Sequence, residues 1–359
     1  MATIKLRDRD AIQTSEGLIF RVFGYSHPKD AYICDAEYAS QNIFKSTDPR
    51  APRQGQTGQN QVFYKFYNDE GMKLISSQFQ KYAIFHEMLR QKVVGIHRED
   101  IAQTRKPEER LQELIKNPSK DELINATFQV LNITARKAGL KTKNFGVFGS
   151  MLHDFHHPKL SDIDLVVYGK NENRKIRKAL ETLYKDKTSG FHNEFESDQA
   201  MSGKQWRFKN FTVEDFVWHQ RRKMIYGLYD DKASGRTIKA EFEPVKAWSE
   251  IKSEYDPQTR IKRQGWVKLK ARITSDNEAP FIPSIYGIEP LEVLDGAKDA
   301  LEAKRVFSFM EEFRLQAKKD EEVVVEGNLE EVISPKNSFR QVTLTYCPRY
   351  YEQVLRALH

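Results

Sequence analysis

The chain has 359 residues, of which 39% are hydrophobic and 11% aromatic, and its formal net charge is +7. This length exceeds the usual size of a single hydrophobic core, which predicts two or three domains, and the aromatic content excludes an intrinsically disordered protein. The sequence has neither the ~20 apolar residues of a membrane span nor the apolar centre of a signal peptide. Its two cysteines are too few for a disulfide framework or a cysteine zinc site. We therefore expect a cytoplasmic protein without a membrane partner.

The N-terminal region is predicted to consist mainly of strands and loops. Residues 18–23 and 62–67 are rich in β-branched and aromatic side chains, which favours strands, whereas residues 48–61 are rich in Pro, Gly and Gln, which favours a loop. Residues 93–118 are highly charged and predict a helical connector on the surface. We therefore expect a β-rich N-terminal region, with its connector, over residues 1–116.

The middle of the chain alternates helical and strand patterns. A capping-box sequence from Ser119 to Glu122 predicts the start of a helix, and Gly139 predicts its end. Periodicity then predicts the remaining elements in chain order, namely a strand at 145–148, a strand at 165–168, a helix after Asn171, a helix at 212–228 and a strand at 237–245.

Beyond residue 256 the pattern changes to the two-residue period of antiparallel strands. Residues 266–273, 323–326 and 339–346 predict strands of an antiparallel sheet or small barrel, with one helix at 294–307. The overall prediction is an α/β (α+β) multidomain protein in which a mixed sheet with helices is flanked by two β-rich regions. The predicted segments are 1–116, 117–255 and 256–359.

Charge is distributed unevenly along the sequence. Residues 200–275 contain 17 Lys and Arg against 9 Asp and Glu, an excess of +8, whereas residues 289–331 contain 6 against 13. A basic stretch can bind a polyanion, but it can also be an ordinary solvated face, so composition alone leaves both interpretations open.

A pair of carboxylates follows a Gly-Ser turn in the middle segment. Residues i and i+2 of a strand share a face, so Asp162 and Asp164, which lead directly into an apolar strand, would hold two like charges side by side. Such a pair is stable when hard divalent cations bind it, because Mg²⁺ prefers carboxylate and phosphate oxygens. Gly149 and Ser150 end the preceding strand, where backbone N–H groups and a hydroxyl can bind phosphate oxygens.

The run from Phe145 to Tyr168 resembles the DNA polymerase beta-like nucleotidyltransferase superfamily. That family has an apolar strand ending in Gly-Ser and an Asp-x-Asp motif on the next strand, as this chain has with a linker of 11 residues between them. The resemblance covers residues 117–250 and is closest in appearance to the catalytic domains of archaeal CCA-adding enzymes. It implies two-metal catalysis with Mg²⁺ or Mn²⁺, an NTP such as ATP as substrate, and release of pyrophosphate.

The same resemblance implies a third carboxylate on a later strand. Archaeal CCA-adding enzymes carry it three residues before a proline, which aligns Glu241 with that position; Glu243, on the same strand face, is the alternative. The chain departs from the family after Gly-Ser, where it has His153 in a Met-Leu-His-Asp sequence and lacks the usual basic residue. His153 is the candidate to replace that residue beside the triphosphate.

The acceptor is less defined than the chemistry. A predicted helix carries three consecutive basic residues, Arg221, Arg222 and Lys223. They could bind nucleic-acid phosphates, and an ordinary solvated helix face explains them equally well. We expect transfer to a nucleic-acid 3′ hydroxyl, with RNA or tRNA favoured over DNA. The alternatives are transfer to a small molecule or protein, and a non-catalytic nucleic-acid binding protein.

Overall fold

Three β-sheets and six α-helices make up the part of the chain that the structure, a computed structural model, describes. The described residues are 5–55, 61–117, 120–196, 198–202 and 206–358. The three sheets follow one another along the chain with helices concentrated around the second, which confirms the predicted α+β multidomain architecture.

The N-terminal sheet has eight strands, with β3 at its centre. Its strand order is β4-β5-β3-β2-β1-β8, and β7 pairs with both β3 and β6. The elements are β1 (Ala11–Gln13), β2 (Leu18–Val22), β3 (Ala31–Ser40), β4 (Pro52–Gln54), β5 (Val62–Lys65), α1 (Glu70–Gln78), β6 (Ala83–His86), β7 (Gln91–His97), β8 (Gln103–Arg105) and α2 (Pro107–Lys116).

The prediction of a helical connector over residues 93–118 is wrong for most of that stretch. Its first part forms β7 and β8, because alternate side chains there, such as the fully buried Ile96, join the core of the N-terminal sheet. Only α2 is helical, and it starts at Pro107, a position that favours proline. Residues 56–60 of the predicted loop and Ser119 of the predicted capping box lie outside the described residues.

The second sheet, of order β11-β12-β13-β10-β9, contains both halves of the Gly-Ser and Asp-x-Asp pattern. Its helix α3 is capped by Asp121, whose carboxylate accepts from the Ile124 N–H at 3.0 Å, and it ends at Gly139 with φ +65°. The elements are α3 (Glu122–Ala138), β9 (Phe145–Val147), α4 (Gly149–Leu152), β10 (Ile163–Tyr168), α5 (Lys170–Lys185), β11 (Phe191–Asn193), α6 (Val213–Lys223), β12 (Tyr226–Asp231) and β13 (Arg236–Val245).

The third sheet closes on itself as a five-stranded barrel. Neighbouring strands follow the order β14-β15-β16-β18-β17, and β17 pairs again with β14. One pair, β16 with β18, is parallel and the others are antiparallel, which is the arrangement of the OB fold. The strands are β14 (Arg260–Glu278), β15 (Ser284–Asp295), β16 (Ala303–Ser308), β17 (Glu322–Ile333), β18 (Ser338–Leu344) and the added β19 (Val354–Ala357).

The prediction of a helix at residues 294–307 is wrong. This stretch completes β15, makes a short 3₁₀ turn at Lys298–Glu302 and continues as β16. Ala300, Ala303 and Val306 are buried three residues apart, which imitates a helical period; here the spacing comes from the 3₁₀ turn and from a register shift at the start of β16.

The uneven charge of the sequence is largely balanced across the barrel. β14 carries basic residues of the +8 stretch and pairs antiparallel with β17, which carries acidic ones. Lys270 and Arg272 lie 2.6 and 3.2 Å from the carboxylate of Glu322, and Lys268 lies 3.5 Å from that of Glu326. Part of the basic excess is therefore neutralised within the barrel.

The chain forms two compact units that group the sheets differently from the sequence segments. The first unit contains residues 1–86, 91–179 and 229–255, and the second contains residues 87–90, 180–228 and 256–359. The N-terminal sheet and strands β9, β10 and β13 therefore belong to one unit. None of the helices within the described ranges is long and apolar enough to cross a membrane.

Candidate functional site

Two parallel neighbouring strands present the predicted carboxylates. β10 pairs with β13 so that Asp164 lies directly beside Glu241 and Val166 beside Glu243. Ile163 and Ala240, which point to the opposite face, are fully buried. Because side chains of paired residues share a face, Asp164, Glu241 and Glu243 lie on one side of the sheet, and Asp162 precedes β10 in an exposed position.

Gly149 brings the Gly-Ser turn into contact with Asp164. Its φ is +60°, a conformation that favours glycine, and a Cβ at this position would lie 2.1 Å from Asp164 Oδ2. The neighbouring Phe148 N–H donates to the Asp164 carbonyl oxygen at 2.9 Å. The two halves of the sequence motif therefore meet at one point, with Ser150 following at the start of α4.

The clustered carboxylates make Asp164 unusually basic. Burial and the negative charges of Glu241, Glu243 and Asp162 together raise the pKa of Asp164 to about 7. The effect of burial is the largest, and the positive charge of Lys65 opposes it. A carboxyl group whose pKa is raised by other carboxylates is typical of a site that binds a cation or a proton.

The two glutamates of β13 differ in their surroundings. Glu243 is buried and its carboxylate lies 2.7 Å from the guanidinium of Arg9, which is itself fully buried. Glu241 lies level with Asp164, its side chain is 21% exposed, and its carboxylate lies 2.6 Å from the Lys239 ammonium. Glu243 is therefore paired with a cation in the interior, whereas Glu241 is partly exposed and lies beside Asp164. This contrast favours Glu241 as the third carboxylate.

The donor set fits a hard divalent cation. Asp162, Asp164 and Glu241 offer carboxylate oxygens, the ligands that Mg²⁺ and Mn²⁺ prefer, and the raised pKa of Asp164 reports the negative charge that a cation would offset. Across the described ranges, no three His, Cys, Asp or Glu side chains are already gathered as a metal site. The ion pair between Glu241 and Lys239 would have to open for Glu241 to join one.

His153 is placed as a core residue. It is 2% exposed, its ring centroid lies 5.3 Å from that of Tyr38 and 5.6 Å from that of Phe155, and burial together with the charge of Arg105 lowers its pKa to about 3. A neutral, enclosed imidazole does not supply positive charge to a triphosphate. This placement does not favour the role expected for His153.

The three basic residues of α6 contact other groups of the second unit. Arg221 donates to the carbonyl oxygens of Phe195 and Glu196 at 2.7 and 2.9 Å, and Arg222 forms an ion pair with Glu321. Lys223 is fully buried, and its ammonium donates to the carbonyl oxygen of Glu312. Arg221 is exposed, Arg222 is half-buried, and Lys223 is enclosed, so the triplet does not form a uniform basic surface.

Two residues near the carboxylates were not found from the sequence. Arg9 belongs to an Arg-Asp-Arg-Asp run, a charge pattern typical of a solvated surface, yet all four residues are buried. Lys65 is in the N-terminal sheet, far from the motif in sequence. Nothing in the local pattern of either residue indicates that tertiary structure brings it to the site.

A protein-family comparison agrees with this geometry. The family model described as a nucleotidyltransferase domain matches residues 129–223, which include the Gly-Ser turn and the Asp-x-Asp strand. The chain therefore contains a nucleotidyltransferase domain over these residues. The match ends before β13, so it does not include Glu241.

Similarity to a curated protein extends over most of the chain. The uncharacterized protein MJ1086 of Methanocaldococcus jannaschii is 30% identical over 338 residues, covering 92% of this chain and 92% of its own length. The chain belongs to one family with MJ1086, and the similarity extends beyond the residues that match the nucleotidyltransferase model. No solved structure matches the chain.

Proposed function

We propose that this protein transfers a nucleoside monophosphate from an NTP to the 3′ hydroxyl of a nucleic acid and releases pyrophosphate. The observation that carries the proposal is the register of β10 and β13, which places Asp164 beside Glu241 and against the Gly149 turn. In the reaction the acceptor oxygen forms a bond to the α-phosphorus of the NTP while the bond from that phosphorus to pyrophosphate breaks.

The residues have separable roles. Asp162, Asp164 and Glu241 would hold Mg²⁺ or Mn²⁺, which would supply positive charge to the triphosphate and lower the pKa of the acceptor hydroxyl. Gly149 lets the turn lie against Asp164 because it has no side chain, and Ser150 offers a hydroxyl and a backbone N–H to phosphate oxygens. The ion pair with Arg9 keeps Glu243 neutralised and outside the cation-binding set.

A nucleic-acid acceptor is supported by the barrel of the second unit. Its closed five-stranded arrangement with one parallel pair is that of OB folds, which commonly bind oligonucleotides. The resemblance to archaeal CCA-adding catalytic domains favours RNA or tRNA over DNA. The basic stretch gives weaker support than its composition implied, because Lys268, Lys270 and Arg272 have acidic partners on β17.

The test is a labelling experiment on the full-length protein. We would incubate it with Mg²⁺, each of the four labelled NTPs and dNTPs, and a pool of RNA, tRNA and primed DNA, and expect label in RNA or tRNA together with pyrophosphate release. Label only in a small molecule or in protein would replace the acceptor and keep the chemistry. Nucleic-acid binding with no transfer of any nucleotide would overturn the enzymatic proposal.

A further inference from the structure

One face of the N-terminal sheet carries two cations close to the aromatic residues that follow the Gly-Ser turn. In the β3–β5 ladder, Tyr38 lies directly opposite Lys65, and in the β4–β5 ladder Arg53 lies directly opposite Phe63. Phe63 and Lys65 are two residues apart on β5 and share a face. Tyr38, Arg53, Phe63 and Lys65 therefore all project from the same side of this sheet.

Aromatic contacts join that face to the catalytic turn within the first unit. The ring centroid of Tyr38 lies 5.3 Å from that of His153 and 5.4 Å from that of Phe155, and the Phe63 centroid lies 5.1 Å from that of Phe155. The Phe155 N–H donates to the carbonyl oxygen of Ser150 at 2.8 Å. The contacts therefore fix the position of the sheet relative to the Gly149-Ser150 turn.

Lys65 lies within electrostatic range of the carboxylate Asp164, and Arg53 lies within electrostatic range of Tyr38. Asp164 and Arg53 both act electrostatically on the hydroxyl of Tyr38, and the charge of Lys65 acts on Asp164. Lys65 and Arg53 are half-buried, and among the described residues the structure gives the Lys65 ammonium neither a hydrogen-bond acceptor nor an ion-pair partner. Arg53 donates to the carbonyl oxygens of Arg50 and Pro52, which orient the guanidinium without neutralising it.

Three other cations near the turn have carboxylate partners. Arg9 pairs with Glu243 and Lys239 pairs with Glu241. Arg110, which lies beside α4, pairs with Glu113 at 2.8 Å and with Asp154 at 3.3 Å. A triphosphate brought beside the carboxylates requires further positive charge from the protein, and these three pairs do not supply it without breaking.

We propose that Lys65, assisted by Arg53, binds the β- and γ-phosphates of the nucleotide, so that the N-terminal sheet completes the substrate site of the nucleotidyltransferase domain. This inference rests on the proposed function, because it assigns residues to that same substrate. Lys65 supplies a compact charge for a terminal phosphate, and Arg53 supplies a planar guanidinium that can contact two phosphate oxygens. His153, the residue of the domain that the sequence suggested for this role, is neutral and enclosed.

The test compares nucleotides that differ only in their phosphates. The probes are the α,β-methylene analogues of the four NTPs with Mg²⁺ and the matching nucleoside monophosphates; dissociation constants are measured by calorimetry. We expect Lys65→Met to weaken binding of the triphosphate analogue by about tenfold or more and to leave monophosphate binding unchanged within about twofold. Arg53→Met should produce a smaller loss, and Lys65→Arg should restore most of the affinity.

The matched control is Lys92→Met, on the exposed part of β7 in the same sheet. It removes the same charge and should not change triphosphate binding. Melting temperatures of all variants identify any loss of fold, and Lys65→Gln, which keeps a polar side chain, replaces Lys65→Met if the latter is unstable. Equal affinity of wild type and the folded Lys65 variants for the analogue overturns this inference and leaves the proposed function intact. Failure of the wild type to bind any of the four analogues overturns the proposed function itself, and the inference with it.

Discussion

The structure brings together two groups of like charges, the carboxylates of β10 and β13 and the basic triplet of α6. The two groups differ in how far partners of opposite charge or polar acceptors offset them. In the triplet, each side chain has an acceptor within its own unit, and Lys223 is fully buried. Among the carboxylates, two glutamates pair with Arg9 and Lys239, yet burial and the neighbouring negative charges still raise the pKa of Asp164 to about 7.

This difference shows that the number of charges in a cluster does not distinguish a candidate reaction site from a stabilising contact. The distinguishing property is whether those charges have partners of opposite charge. The ladder of β14 and β17 gives the same lesson on a larger scale, since Lys270 and Arg272 both lie beside Glu322. A cluster that keeps uncompensated charge after folding destabilises the protein unless a ligand offsets it. The carboxylate cluster meets that description.

Removing Asp164 should have the largest effect on activity. We expect Asp164→Asn to reduce nucleotide transfer by about a thousandfold or more, because the variant would lose a proposed ligand of the cation. Mg²⁺ should raise the melting temperature of wild type and should raise that of the variant less, since binding to the folded state alone stabilises it. Transfer at wild-type rate by Asp164→Asn would contradict the assignment of the site.

The same variant has a testable pH dependence without divalent cations. The pKa of Asp164 is near 7 in the folded protein and has its ordinary value, near 4, in the unfolded chain, so the folded state holds the extra proton between these values. Wild-type stability should therefore fall as pH rises from about 4 to about 7 through this group. Asp164→Asn removes that loss, so the variant should gain stability relative to wild type over this range in chemical denaturation.

Glu241 and Glu243 should separate activity from stability. We expect Glu241→Gln to lower kcat by about a hundredfold or more with little change in nucleotide affinity, because the carboxylate acts in the transition state. Glu243→Gln should instead destabilise the fold by about 3 kcal/mol, because Arg9 is left buried without its anionic partner. Steady-state kinetics and denaturant unfolding of the two variants check this contrast.

The Arg9→Met/Glu243→Gln double variant is the control for the interior pair. Removing both charges should recover much of the stability lost by Glu243→Gln alone, as happens when a buried ion pair is replaced as a unit. An essential Glu243 with a dispensable Glu241 would mean that the third carboxylate lies two residues further along β13.

The sequence predicted the catalytic strands well because their pattern is local. Asp162 and Asp164 precede an apolar run, Gly149 follows another, and both runs are strands in the structure. The spacing from Pro244 predicts Glu241 as the third carboxylate. Distinguishing it from Glu243, however, requires knowing which of the two glutamates pairs with Arg9. A partner 234 residues away in the chain leaves no trace in the local pattern.

One feature that the sequence did not reveal and one that it predicted wrongly have related physical causes. The Arg-Asp-Arg-Asp run is buried because its charges satisfy one another and distant groups, such as Glu108 for Arg7 and Glu243 for Arg9. The helix predicted at residues 294–307 fails because a 3₁₀ turn and a register shift reproduce a three-residue spacing. Long-range pairing decides both cases.

His153 should affect stability more than substrate binding. Its pKa is lowered to about 3 in the fold and is near 6.5 in the unfolded chain, so the unfolded state binds the extra proton between these values. Wild type should lose about 2 kcal/mol of stability through this group between pH 8 and pH 5, and His153→Leu should abolish that part of the loss. Its KM for NTP at neutral pH should remain within about threefold of wild type; a tenfold increase would restore His153 to the nucleotide site.

The smallest expected effect concerns the basic triplet and a single-stranded RNA ligand. Each phosphate contact contributes about −0.7 to the slope of log affinity against log salt concentration. Arg221 is exposed, so Arg221→Gln should make the slope less negative by about 0.7 if this side chain meets a phosphate. Lys223→Met should leave the slope unchanged and lower the melting temperature, because Lys223 is buried against the Glu312 carbonyl.

Since only Arg221 and Arg222 remain accessible, neutralising the pair should change the slope by at most about 1.4. A slope that does not change in the Arg221→Gln/Arg222→Gln variant would remove α6 from the RNA-binding surface, and a wild-type affinity independent of salt would favour a small-molecule or protein acceptor.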